Sequence, residues 1–177
     1  MTCSEYLIRE ASDMIEDGSE IEIICSKDIN LFLPLMRDIT DLEERFLLAM
    51  LRWCGYGRPR HTPLKFWEVY TALIKSKPVG VSGLYQNQNT PAHIGWVGWL
   101  GVIPQYRNSG IGTRLIDYVA RRASAIGMSE LMVYTDDDNC GAIDFYQTVG
   151  FCHLGRAIEE FPSDDYEIKN IVMRKIV

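Results

Sequence analysis

The chain has no pair of cysteines at the short spacing that zinc ligands and redox-active dithiols use. Its five cysteines are scattered along 177 residues, at Cys3, Cys25, Cys54, Cys140 and Cys152. An odd and scattered set argues against a disulfide framework, which needs paired cysteines. The sequence therefore predicts reduced thiols in a cytoplasmic protein, and it predicts no metal site.

Long apolar runs are also missing. No stretch approaches the roughly 20 apolar residues that a membrane-spanning helix needs. Residues 1–20 carry several acidic side chains and lack the apolar segment of a signal peptide. We therefore expect neither a signal peptide nor a membrane anchor, and no membrane among the partners.

Positive charge is in short supply. Lysine and arginine number 18 against 24 aspartates and glutamates, which gives a net charge of −6 at pH 7. This balance argues against nucleic acid as the main partner. It is compatible with a cationic amine substrate, and it is equally ordinary for a globular protein.

The length and the 47% hydrophobic content favour one domain over residues 1–177, with a core large enough to need no staples. At the amino terminus, Tyr6, Leu7 and Met14 fall at helical spacing, and Gly18 is a plausible stop. Residues 1–20 are therefore predicted to form an extra amino-terminal helix.

A glycine-containing turn at residues 105–113 organises the rest of the chain. The apolar run at residues 96–103 reads as a buried strand, and apolar residues after the turn recur at helical spacing. Glycine lets a backbone turn tightly and approach a ligand, and Gly110 and Gly112 lie at the tip. The unpaired amides at a helix start attract anions, so this turn suits a pyrophosphate.

Three phosphate-binding motifs compete for this turn. A Walker loop needs Gly-Lys followed by Ser or Thr, and no such triplet occurs here. A dinucleotide fingerprint needs a third glycine where this chain has Leu115. The pattern that remains is Arg/Gln-x-x-Gly-x-Gly/Ala, from Arg107 to Gly112.

A second segment supports that pattern. A short strand is predicted at residues 131–135, and residues 139–151 follow it. They read Asn-x-x-Ala-x-x-Phe-Tyr-x-x-x-Gly-Phe, with Asn139 first and Tyr146 inside. Together the two motifs resemble the coenzyme-binding segments of the GCN5-related N-acetyltransferase (GNAT) family. The resemblance is strong over residues 94–156, the coenzyme-binding core, and only architectural elsewhere.

The family resemblance implies a fold and a function. The fold is α/β, with a central mixed, mostly antiparallel sheet flanked by helices and a splayed central strand pair. The function is transfer of an acetyl group from acetyl-CoA, a co-substrate, to a primary amine of a small molecule or protein. A non-catalytic coenzyme A-binding module and a nucleotide-binding domain of another class are the alternatives, and a homodimer is a possible assembly.

The order of elements agrees with that fold. It reads β-α-α-β-β-β-α-β-α-β-β after the extra helix, since alternating and helical apolar patterns succeed one another in that sequence. Ser26 or Asp28 is predicted to cap the first helix. The apolar face of that helix is predicted to contain Leu31, Leu35, Met36 and Ile39.

Two features between the first helix and the strand predicted at residues 67–74 have two interpretations each. A second helix, capped by Thr40 or Asp41, places Glu43 or Glu44 either against an amine substrate or on a solvated face. A loop follows it, whose basic residues are either a site for a substrate carboxylate or coenzyme phosphate, or plain surface. These basic residues are Arg58, Arg60 and His61.

The resemblance also implies which residues hold the coenzyme. Leu100 and Val102 supply backbone bonds to its pantetheine arm, with an amide near Leu100 facing the thioester oxygen. Gly98 and Gly101 suit close approach of a ligand, or alternatively a bulge needed for packing. Asn139 contacts the coenzyme arm, caps the following helix, or both. The pyrophosphate is held by the loop residues Arg107, Asn108, Ser109, Gly110, Ile111, Gly112 and Thr113.

Tyr146 stands where many family members have a tyrosine that protonates the departing thiolate. A phenol with an ordinary pKa near 10 can serve as that acid; the alternative is a tyrosine that only bonds the sulfur. Many family members carry a glutamate near the start of the central strand, and none occurs here. Histidine as a residue type suits the role of a base near neutral pH, so His93 is a candidate.

Other groups also qualify for the base or for the acceptor pocket. Asp136, Asp137, Glu68 and ordered water are alternatives to His93, and none is assigned firmly. Trp96 and Trp99 either line an apolar or aromatic acceptor pocket or pack in the core.

Overall fold

A computed structural model of the chain describes residues 13–14, 20–39, 64–156 and 170–177. In these ranges three helices accompany eight strands of one sheet. The helices are α1 (Ile29–Asp38), α2 (Ile111–Ala125) and α3 (Cys140–Thr148). The strands are β1 (Asp13–Met14), β2 (Glu20–Cys25), β3 (Leu64–Ile74), β4 (Lys77–Asn87), β5 (Ile94–Val102), β6 (Glu130–Asp136), β7 (Cys152–Arg156) and β8 (Asn170–Ile176).

The sheet is mixed, as the resemblance implied. Its strand order is β1-β2-β3-β4-β5-β6-β8-β7. Among the described strands, β5 and β6 form the parallel pair and the other neighbours are antiparallel. A parallel pair needs a crossover connection, and α2 supplies it between β5 and β6.

The two faces of the sheet carry different helices. Val69 on β3 packs in one cluster with Leu35 and Met36 of α1. The next residue, Tyr70, meets Tyr118 of α2 with 5.1 Å between ring centroids. Because successive strand residues point to opposite faces, α1 and α2 lie on opposite sides of the sheet.

The start of α1 follows the predicted capping chemistry. Asp28 is the N-cap, and its side chain accepts a hydrogen bond from the Asn30 amide at 2.9 Å. Ser26 supports the turn by accepting from the Asp28 amide at 3.0 Å. Of the predicted apolar face, Leu35, Met36 and Ile39 are buried. The predicted second helix with Glu43 and Glu44, and the basic loop at Arg58, Arg60 and His61, lie outside the described residues.

The predicted amino-terminal helix is wrong at its carboxyl end. Asp13 and Met14 form β1 and pair with Ile21 and Glu20 of β2. An open strand edge offers a row of backbone partners, and pairing with β2 overrides the helical spacing of the apolar residues. The remainder of residues 1–20, up to β2, lies outside the described part.

The terminal strand runs to Ile176, beyond its predicted end at Met173. Met173 is fully buried in the core, whereas Val172 is only half-buried. Ile168, which was predicted to share the parity of Val172, lies outside the described residues.

No helix in the described ranges is long and apolar enough to cross a membrane.

Candidate active site

The central feature of the site is a gap between β5 and β6. The two strands pair at Ile94–Glu130, Gly95–Leu131 and Trp96–Met132, and the ladder stops there. Both strands then continue, to Val102 and Asp136 respectively. Residues 97–102 and 133–136 thus face each other across an opening, which we call the wedge. This is the splayed strand pair that the family resemblance implied, and backbone groups along the facing edges of the two strands can bond a ligand.

A β-bulge lies on the other edge of β5. Val81 pairs with Gly101, and Gly83 pairs with Gly98, so both Trp99 and Leu100 oppose the single residue Ser82. Trp99 adopts a left-handed conformation with φ 49°. The bulge alternative is therefore confirmed beside Gly98, and close approach of a ligand there stays a prediction.

Gly101 has a packing reason of its own. A Cβ atom on Gly101 would lie 2.7 Å from the Cδ1 atom of Ile39, so the end of the Ile39 side chain would have to shift. Glycine at this position therefore lets Ile39, the residue after α1, pack closely on β5 beside the wedge.

The loop after β5 is held by its own side chains. A short 3₁₀ turn, Pro104–Tyr106, follows the strand. The Ser109 hydroxyl donates to the Tyr106 carbonyl at 2.6 Å, and Arg107 Nε donates to the Val102 carbonyl at 3.1 Å. Asn108 and Gly110 have positive φ angles of 62° and 83°. These contacts and conformations fix the course of the loop into α2.

The first turn of α2 is built to receive an anion. After the loop, the Arg114 amide donates a hydrogen bond to the Gly110 carbonyl at 3.1 Å, which begins the helical pattern. The amides of Ile111, Gly112 and Thr113 precede it, and such leading amides lack helical acceptors. The first turn contains no acidic residue. The free helix amides, the positive end of the helix dipole and the lack of acidic side chains therefore all suit a pyrophosphate.

The two loop glycines serve different purposes. A Cβ on Gly110 would meet no atom within 4 Å, so its positive φ is what requires glycine, and the space beside it is open. A Cβ on Gly112 would lie 3.3 Å from the ring of Phe145. Gly112 thus allows α3 to approach α2 closely.

Tyr146 lies on α3, the helix that follows β6. Asn139 caps this helix, with its side chain accepting from the Ala142 amide at 3.1 Å. Tyr146 is 7% exposed, and its ring centroid lies 5.5 Å from those of both Phe145 and Phe151. Burial, and after it the nearby Tyr134 of β6, raise the pKa of Tyr146. The phenol therefore stays protonated at neutral pH.

Comparison with known proteins decides the family. The sequence model of the Acetyltransferase (GNAT) family matches residues 35–151. The chain belongs to this family.

Individual relatives agree with that assignment. N-alpha-acetyltransferase 30 of Schizosaccharomyces pombe is 32% identical over 117 residues, which cover 66% of this chain and 73% of that protein. An acetyltransferase structure from Streptococcus agalactiae superposes with a TM-score of 0.66 at 16% identity, covering 89% of this chain and 98% of that one. A GNAT family acetyltransferase from Elizabethkingia anophelis, solved with acetyl-CoA bound, gives 0.54 at 20% identity, covering 63% and 76%.

The structure of this GNAT separates the candidate bases. His93 is exposed on the turn before β5, where its carbonyl accepts bonds from the Ser129 and Glu130 amides at 2.9 and 3.1 Å. It precedes Leu100 by seven residues, about 23 Å along a strand. The fold therefore does not bring His93 to the bulge.

The two aspartates after Thr135 differ in their surroundings. Asp137 lies 3.8 Å from Arg156, in an exposed ion pair. Asp136 is the last residue of β6. If the β5–β6 register is extended from the Trp96–Met132 pair and the extra residue of the bulge is allowed for, Asp136 comes level with Gly101, next to Leu100, across the wedge. Asp136 is the best placed of the carboxylates that were considered.

Glu68 is fixed in a structural network on the α2 face. Arg122 of α2 grips both of its oxygens, at 2.9 and 2.7 Å, and the Tyr70 hydroxyl also donates to it. Burial opposes ionisation, but the bonds from Arg122 and Tyr70 outweigh it and lower the pKa of Glu68. A carboxylate held this firmly, on the face away from α1, is a poor base for an acceptor.

We expect Glu68→Gln to destabilise the fold by about 1.5–3 kcal/mol at pH 7, since charge-assisted hydrogen bonds are lost. Because the folded-state pKa is lowered, the contribution of Glu68 is present above the ordinary glutamate pKa and disappears as pH falls through the folded value. Urea unfolding at several pH values measures this difference between wild type and variant.

Glu130→Gln is the matched control for that measurement. Its partner Arg174 is 3.7 Å away and 44% exposed, so the loss should be about 0–1 kcal/mol. Equal losses for the two variants, or a Glu68→Gln loss that persists unchanged in acid, would contradict the network.

The sequence reasoning missed Tyr134. This residue alternates with Leu131 and Val133, which are buried in the α2-side core, so it projects from the opposite face at the wedge. The alternation could be read from the sequence. The position of Tyr134 at the wedge could not, because it depends on where the β5–β6 ladder stops.

Proposed function

We propose that this GNAT transfers the acetyl group of acetyl-CoA directly to a primary amine of a small molecule or protein. The observation that carries the proposal is the continuity of the wedge with the anion-binding turn of α2, through Val102 and the loop. A coenzyme with its pyrophosphate at Gly110 can extend its pantetheine along β5 toward Leu100 and Tyr146. An N-alpha-acetyltransferase among the relatives supports an amine acceptor.

The residues of the site would have the following roles in acetyl transfer. Bound acetyl-CoA supplies an acyl group activated as a thioester. The loop amides hold its phosphates, and an amide near Leu100 polarises the carbonyl. As the nitrogen–carbon bond forms and the carbon–sulfur bond breaks, Asp136, directly or through water, accepts the proton of the amine. Tyr146 donates a proton to the leaving sulfur.

Release of free coenzyme A in the presence of amines tests the proposal. A panel of alkylamines, arylalkylamines and peptides should contain acceptors that raise the rate of thiol release above the rate of acetyl-CoA hydrolysis. The absence of a glutamate near the start of β5 motivates the alternative of a non-catalytic coenzyme A-binding module. That alternative predicts coenzyme binding without release for every amine.

Acetyl-CoA should stabilise the fold. Ligand at a hundred times its dissociation constant adds about 2.7 kcal/mol to the free energy of unfolding. Thermal melts with and without acetyl-CoA measure the shift, with ATP and NAD as controls for other phosphate ligands. No shift at millimolar acetyl-CoA, or an equal shift with ATP, would rule out the proposed coenzyme site.

A further inference from the structure

Three aromatic rings lie side by side across β4, β5 and β6. Tyr85 and Trp96 stack with 6.5 Å between centroids and 27° between planes. Trp96 meets Tyr134 edge-on at 6.2 Å. We call Tyr85, Trp96 and Tyr134 the aromatic row.

The row lies on the face of the sheet opposite α2. Leu84, Val97 and Val133, each next in sequence to one of the three rings, belong to the α2-side core. Alternation therefore turns the three rings to the other face, the one that α1 covers farther along. Tyr85 is 3% exposed, whereas Tyr134 is 38% exposed. The row thus runs from the interior to an open aromatic end.

The open end of the row lies at the wedge. Trp96–Met132 is the last pair of the β5–β6 ladder, and Tyr134 is on β6 just past that point. Tyr134 also contributes, after burial, to the raised pKa of Tyr146. An acceptor that reaches a thioester in the wedge from the α1 side must therefore pass this ring.

Hydrogen-bond acceptors follow the row along β6. Asp136 shares the face of Tyr134 and pairs in register with Asn170 of β8. Within the described residues, the Asn170 side-chain oxygen is buried and has no hydrogen-bond partner. A buried acceptor without a donor is costly unless a ligand supplies one. The surface therefore combines an aromatic wall with acceptors for N–H groups.

We propose that the aromatic row is the acceptor wall of this enzyme and that it selects amines carrying an aromatic group close to the nitrogen. The inference rests on the proposed function. An aromatic substituent would pack on Tyr134 and the edge of Trp96, in the offset or edge-on geometry that rings prefer. The N–H groups would face Asp136 and Asn170. An arylalkylamine and a peptide amino terminus with an aromatic first residue share this chemistry.

Acceptor kinetics test the preference. Phenethylamine should exceed n-butylamine in kcat/KM by about 10-fold or more, because one additional ring is buried against the wall. A short peptide that begins with phenylalanine, compared with one that begins with alanine, distinguishes the peptide source from the free amine. Equal kcat/KM for butylamine, or a preference for spermidine, would overturn the inference.

Two substitutions at Tyr134 separate the ring from its hydroxyl. Tyr134→Phe should keep the preference for phenethylamine, whereas Tyr134→Leu should raise KM for phenethylamine about 10-fold with little change for butylamine. Ile126→Ala, at an exposed apolar residue just past α2, is the control and should change neither value. If Tyr134→Phe lowers kcat for every amine as much as Tyr134→Leu, the hydroxyl acts in proton transfer and the wall is refuted.

Direct binding keeps this inference separate from the proposed function. Calorimetric titration of phenethylamine and butylamine into the protein saturated with coenzyme A should show tighter binding of phenethylamine, whether or not turnover occurs. If amines are acetylated but phenethylamine and butylamine bind equally well, the aromatic row is not the acceptor wall, and the acetyltransferase proposal stands. Tighter binding with no turnover of any amine would support the wall and reject the acetyltransferase proposal.

Discussion

Replacing Tyr146 by phenylalanine should lower the maximal rate by about 10²–10⁴-fold, the usual contribution of a positioned general acid. The ring should stay between Phe145 and Phe151, since its contacts do not involve the hydroxyl. Affinity for acetyl-CoA should therefore remain nearly unchanged, and the loss should fall on turnover. Steady-state kinetics with a good amine and a coenzyme binding titration measure the two quantities.

The raised pKa of Tyr146 sharpens this expectation. A phenol that is harder to ionise than usual stays protonated throughout the physiological range, so turnover should not fall at neutral pH through ionisation of Tyr146. Wild-type turnover in the variant under chemistry-limited conditions would remove Tyr146 from the mechanism and favour proton donation by water. A parallel rise in the coenzyme dissociation constant would make Tyr146 a binding residue.

Gly110→Val should weaken acetyl-CoA binding by on the order of 100-fold or more, since two or more charge-assisted bonds to phosphate would be lost. The branched side chain would occupy the open space that now lies beside Gly110. It would also strain a backbone whose φ is 83°. Titration of the variant with acetyl-CoA measures the loss.

Gly127→Val is a matched control for the strain. Gly127 follows the other end of α2, has φ 86°, and likewise has no atom within 4 Å of an added Cβ. Both variants should lose similar stability in thermal melts, but only Gly110→Val should lose coenzyme affinity. Equal affinity losses would show that strain in α2, and not occupation of phosphate space, is responsible.

Local motifs carried most of what the sequence predicted. The turn at Gly110 and the Asn139 cap depend on residues a few positions apart, so their conformations could be read directly. The splayed pair came from the family resemblance, because no local pattern shows where a parallel ladder ends.

Contacts between distant segments could not be read in the same way. Arg122 and Glu68 are 54 residues apart, and only the packing of α2 on β3 joins them. His93 was considered because of the chemistry of its side chain, whereas its distance from Leu100 follows from the length of β5 between them. The sequence predicted no role for Tyr134, because its contact with Trp96 joins two different strands.

The bulge at Trp99 shifts the phase of β5. Before it, odd-numbered residues such as Gly95 face the α2-side core, where an added Cβ would lie 3.2 Å from Leu131. After it, the even-numbered Leu100 and Val102 pack against that core instead. A one-residue slip exchanges the two faces of a strand. The extra residue therefore decides which face of the sheet each later side chain of β5 points to. The orientation of the turn at residues 105–113 therefore depends on one inserted residue. The number of residues in β5 is constrained as strictly as their identity.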